Sequence, residues 1–113
     1  MTATQIQGEK ALKFAESKFR DWAAHNGVSV QLVLPLAYFE ERNPSTLIYI
    51  FFPTDSDLQG HRVTHKLQEI ESCYRKFLAE ALFPMDRFPV SFRFDSHQHV
   101  QESYDGNIYN YLR

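Results

Sequence analysis

The chain has 113 residues, 43% hydrophobic and 23% charged, with a net charge of −2. That length suits one domain, 1–113, burying roughly two-thirds of its unfolded surface. The missing basic excess argues against nucleic acid as a partner, no apolar run approaches the ~20 residues of a membrane span, and a single cysteine, Cys73, cannot form an internal disulfide.

The expected setting is reducing and cytoplasmic, because Met1-Thr2-Ala3-Thr4-Gln5 lacks the basic-then-apolar pattern of a secretory signal. Aromatic residues make up 15% of the chain, ten Phe and six Tyr among them. That exceeds what a small core needs, so some rings are expected at a surface that meets a partner.

In chain order, Thr4 to Asn26 reads as a helix. Thr4 and Gln7 match a capping box, and Leu12, Ala15, Phe19, Trp22 and Ala23 form one stripe at 3.6-residue spacing. Gly27 can take the left-handed position after the last turn. Phe14 points away from the stripe, either as a half-exposed ring or as a partner contact.

Val28 to Tyr38 alternates, with Val28, Val30, Leu32, Leu34 and Leu36 on one side and Ser29 and Gln31 on the other. That predicts a half-buried strand, with Pro35 marking an edge or an end. Glu40 to Ser45 then reads as a hairpin loop. Leu47-Ile48-Tyr49-Ile50-Phe51-Phe52 is an unbroken β-prone run ended by Pro53, too short for a helix. Its lack of alternation predicts the central strand, with both faces covered.

Ser56 and Gln59 read as a second capping box. The stripe Val63, Leu67, Ile70, Tyr74, Phe77, Leu78 and Ala81 predicts one continuous helix over 57–82. Val90, Phe92 and Phe94 alternate with Ser91, Arg93 and Asp95, predicting a third strand. Beyond it, Asp95-Ser96 can cap a short helix that stops at Gly106; alternatively Asp105-Gly106 is a hairpin turn between two strands. Both readings make Ile108 to Leu112 a last strand. The expected fold is therefore α+β, a mostly antiparallel four-stranded sheet with two main helices packed on it, in the order α-β-β-α-β-β.

Candidate chemistry is sparse. His61, His65 and Glu69 fall in one helical row with metal-ligand spacing, but that row faces solvent, so no metal and no cofactor is expected. His97 and His99, with Arg93 for phosphate, have the residue types of a small nuclease or hydrolase if they share one side of an extended segment. Cys73 reads as an inert, packed side chain. No nucleophile elbow or glycine-rich phosphate loop occurs, so no enzyme is expected.

The remaining pattern is a surface one. Tyr109 and Tyr111 are expected to share one face of the last strand, beside polar strand positions such as Arg93 and Asp95. Tyr, Arg and carboxylates together have the composition of specific protein interfaces. Glu40, Glu41, Arg93, Asp95, Tyr104, Asp105, Tyr109 and Tyr111 are the candidate interface residues.

Phe94-Asp95-Ser96, followed by Tyr104-Asp105-Gly106-Asn107 and Tyr109, resembles the tail of small bacterial proteins that neutralise toxin domains. The resemblance covers about 20 residues, and the mild acidity is similar too. It implies an immunity protein that occludes a basic toxin domain, such as a nuclease, by stoichiometric binding. A homodimeric structural protein, pairing through the last strand or through a face of Leu47–Phe52, is the rival reading.

Overall fold

A computed structural model describes residues 3–38 and 42–113. Helix α1 spans Ala3–His25, strands β1 and β2 span Leu32–Tyr38 and Ser45–Phe52, and helices α2 and α3 span Asp55–Val63 and Lys66–Glu80. Strand β3 (Val90–Ser96) and two short helices, α4 (His97–Tyr104) and α5 (Ile108–Tyr111), complete the chain.

The sheet has three strands in the order β1-β2-β3, so the apolar hexapeptide does lie in the middle strand. β1 pairs antiparallel with β2, but β2 pairs parallel with β3. The expectation of a four-stranded, mostly antiparallel sheet is therefore overturned. The connection from Pro53 to Pro89 carries two helices across the sheet and returns the chain to the same end, which is what a parallel pair requires.

The fourth strand does not form. Asn107 caps a helix instead, its side chain accepting from the Asn110 N–H at 3.2 Å, because Asn favours a cap over a strand interior. The reading of a short helix capped at Asp95-Ser96 and stopped at Gly106 agrees with α4, and the hairpin turn at Asp105-Gly106 does not form. Ser96 accepts the His99 N–H at 3.0 Å there, and Asp105 and Gly106 end the helix with φ of 52° and 73°.

The single helix expected over 57–82 is broken. His65 sits in the left-handed region (φ 60°), and Thr64 turns its hydroxyl back onto the Gly60 carbonyl at 2.9 Å. Val63, assigned to the stripe, is 66% exposed. The break lets α2 lie by β3 while α3 packs along α1. The cap also sits earlier than expected: Thr54, not Ser56, accepts the Asp57 N–H at 3.1 Å.

One layer of helix covers one face of the sheet. Leu12, Ala15, Phe19 and Ala23 of α1 and Ile70, Tyr74 and Leu78 of α3 are buried in one cluster with Val33, Ile48, Ile50, Phe52 and Phe92. The Tyr74 ring joins the layers, with its centroid 4.9 Å from Phe19 and 5.5 Å from Phe92.

β1 departs from its predicted alternation. The Gln31 N–H donates to the Phe51 carbonyl at 2.7 Å, although Leu32 is the residue registered with Phe51. Two residues opposite one shift the parity, as a β-bulge does. Val28 and Val30 therefore join the core side with Val33, while Leu32, Leu34 and Leu36 turn to the other face.

Candidate binding face

Side chains alternate across a strand, and the register fixes which ones share a face. Opposite the helical layer lie Leu32, Leu34, Leu36 and Tyr38 of β1, Leu47, Tyr49 and Phe51 of β2, and Ser91, Arg93 and Asp95 of β3. Leu34, Leu36, Leu47 and Tyr49 are only half-buried, and Leu32 and Tyr38 are exposed. Among the described residues, the Tyr111 ring of α5 meets this part of the sheet at Tyr49.

The expectation that both faces of the hexapeptide are walled in therefore holds at one end only. Thr46, Ile48, Ile50 and Phe52 are all at most 1% exposed, but on the opposite face only Phe51 is fully buried. Its cover comes from the C-terminal segment. The Tyr111 ring meets Phe51 edge-on at 5.4 Å and Tyr49 at 6.0 Å.

A polar cluster fixes that segment. Tyr111 Oη donates to Asp95 Oδ2 at 2.6 Å, His99 Nδ1 lies 2.9 Å from the same oxygen, and the Ser96 N–H donates to Oδ1 at 2.8 Å. An ionised carboxylate only accepts, so the proton of the His99 contact sits on Nδ1. The rings of Tyr104, His99 and Tyr111 pack edge to face, 5.4 to 5.9 Å apart. Partial burial pushes the Asp95 carboxyl up, but the bonds from Tyr111, His99 and Ser96 outweigh it and hold the group below its ordinary range. Burial and the Asp95 carboxylate both raise the Tyr111 phenol.

This arrangement binds the chain to itself more than it prepares a reaction. His99 has the orientation of a general base, with its Nδ1 side held by a carboxylate. The Ser96 hydroxyl beside it is already used, donating to Asp55 and accepting the His99 N–H. Gln98 Oε1 accepts the Asp55 N–H at 3.0 Å, so the starts of α2 and α4 are stitched together by acidic and amide side chains.

The sequence-derived site residues are partly dispersed. Asp95, Tyr104 and Tyr111 come together, with Arg93 exposed nearby on the same strand face. Tyr109 does not share a face with Tyr111: two residues apart on a helix they diverge, and Tyr109 is 81% exposed. Asp105 is an exposed helix end. Glu40 and Glu41 lie outside the described residues.

His97 and His99, expected to project together, also diverge on α4, where His97 Nε2 lies 3.0 Å from the Gln101 amide. The His61–His65–Glu69 row is broken at His65. His61 packs on Phe52 instead, with ring centroids 4.9 Å apart, and no metal-binding group of three is found among the described residues. Cys73 is half-buried, and burial pushes its thiol up against a smaller opposing effect from Lys76.

What the sequence reading missed is the leucine face itself. Its signal is the alternation of Leu32, Leu34 and Leu36, which by periodicity alone reads as a core-facing row together with Val28 and Val30. No helix among the described residues is long and apolar enough to cross a membrane. No family model, curated protein or solved structure matches the chain.

Proposed function

We propose that this protein is a binding module that docks another protein on the open face of its sheet. The observation that carries the reading is the row Leu34, Leu36, Leu47 and Tyr49, half-exposed across two paired strands and met by α5 at Tyr49, where the Tyr111 ring lies edge-on. Strand geometry gives this face a footprint of roughly 23 by 14 Å, on the order of 300 Å². The apolar part of it is the share on β1 and β2, and contiguous apolar patches on monomers are often functional. The surroundings suit an interface too: an apolar centre with Ser91 and Arg93 on β3, and Tyr104 against Tyr111, at its margins.

The proposed partner, on the strength of the C-terminal resemblance, is a basic toxin domain that the protein occludes in the cytoplasm, with no catalysis or cofactor of its own. Asp105, and by their charge Glu40 and Glu41, would attract a basic partner, an attraction that governs association rate more than affinity. Calorimetry with the proteins encoded by the neighbouring genes tests this; absence of a toxin-like domain among them counts against the immunity reading. A 1:1 complex is expected, weakened at least a hundredfold by Leu34→Asp and far less by charge reversal at Glu40 and Glu41. Absence of a complex removes the immunity reading. Unaltered affinity of a folded Leu34→Asp protein removes this face from it.

A second reading is a homodimer through the same face. The three strands carry only Arg93 and Asp95 as charged residues on that side. Two copies would therefore meet without a cluster of like charge. Light scattering at high concentration separates the two readings: a monomeric mass ends the dimer.

A further inference from the structure

We infer that Gly106–Arg113 is a strap across one end of the docking face, latched by the Tyr111–Asp95 hydrogen bond, which swings away at Asp105–Gly106 when a partner takes the place of Tyr111. This rests on the docking role proposed above and concerns how that face is regulated.

Phe51 is the starting point. It is 1% exposed, yet it stands outside the core cluster that the sheet shares with α1 and α3. Tyr111 covers it from the other side. Removing the strap would bare the rest of Tyr49 and extend the half-exposed row along β2 to Phe51, lengthening the apolar surface offered to a partner.

The strap is weakly held apart from that residue. Helix α5 has four residues, far below the ~12 at which a helix becomes marginally stable alone. Its main packing neighbour is α4, and Tyr109 beside the latch is 81% exposed. The bond from Tyr111 to a carboxylate is short and charge-assisted, the stronger kind of hydrogen bond. The joint at Asp105 and Gly106 consists of two successive residues with positive φ. Such a joint can change direction without breaking a regular element on either side.

Opening leaves no stranded charge. Asp95 keeps His99 Nδ1 and the Ser96 N–H when Tyr111 departs, so the carboxylate stays partnered and α4 stays in place. The vacated position has an aromatic floor, Tyr49 and Phe51, beside an anion. It fits a partner that presents an aromatic side chain next to a lysine or arginine.

Hydrogen exchange on the full chain tests the latch without a partner. Tyr111→Phe keeps the ring and removes only the donor. A hydrogen bond to a charged group is worth enough that its loss should speed exchange of the Tyr111 and Leu112 amides, bonded to Asn107 and Ile108 carbonyls, about tenfold or more. The α3 amides from Ile70 to Leu78 should not change. Tyr111→Ala should in addition raise binding of the apolar dye ANS severalfold.

An unmoved α5 rate overturns the latch. So does a parallel rise in α3, since the tail would then open only with the whole fold. An unchanged ANS signal in Tyr111→Ala overturns the uncovering of Phe51. None of these readouts involves a partner, so the strap can fail while docking survives. Loss of docking in the calorimetry, with the exchange result intact, counts against the docking role alone.

Discussion

Replacing Tyr74 by phenylalanine should make this protein more stable. Tyr74 is fully buried between α1 and the sheet, and its hydroxyl has no hydrogen-bond partner among the described residues. Burial and the nearby Glu16 carboxylate push the phenol far above its ordinary range, so the group remains a neutral O–H. A buried hydroxyl without a partner costs about 1–3 kcal/mol in proteins. Tyr74→Phe removes that cost and keeps the ring contacts with Phe19 and Phe92. Only the few tenths of a kcal/mol of dispersion made by one oxygen are lost. The expected gain is ~1 kcal/mol, or a Tm increase of about 4 °C for a domain this size.

Urea unfolding followed by far-UV circular dichroism measures it. The midpoint should rise with the slope unchanged, because the same surface is exposed on unfolding. Tyr74→Leu is the control: it also removes the hydroxyl but forfeits the ring–ring packing, and it should destabilise. A Tyr74→Phe protein less stable than the parent by ~1 kcal/mol would refute the reasoning, since the hydroxyl must then be making a bond worth that much.

Further outcomes follow from single features. Leu82 is 87% exposed at φ 60°, beyond the end of α3, so Leu82→Gly should stabilise by about 1 kcal/mol in thermal unfolding. Thr54→Ala removes the α2 cap and should cost ~1 kcal/mol by the same assay. Ile50→Ala opens a cavity in the middle strand and should cost about 2–5 kcal/mol in urea.

Acid should weaken the fold through Asp95. Its folded carboxyl lies below the ordinary range, so its contribution is present above the unfolded pKa and is lost as pH falls through the folded one. Stability measured from pH 6 downward should fall more steeply in the parent than in Asp95→Asn, the difference growing below the usual aspartate range near pH 4.

Periodicity alone determined much of this protein. The α1 stripe, the central hexapeptide, the alternation of β3 and the Ser96-capped helix are local patterns, and each residue's neighbours along the chain suffice to read them. Three features were decided by tertiary structure. The direction of β3 depends on where α2 and α3 deliver the chain, which no local pattern encodes. The face taken by Leu32, Leu34 and Leu36 depends on the extra residue at Gln31 opposite Phe51. Because a strand repeats every two residues, a shift of one moves the whole leucine row from core to surface. The joining of Asp95, His99 and Tyr111 depends on a tail that winds into α5 and folds back onto the sheet, although Ile108 to Leu112 has the composition of a strand. Its backbone satisfies its hydrogen bonds in a helical turn capped by Asn107, and Tyr111 turns inward to Asp95.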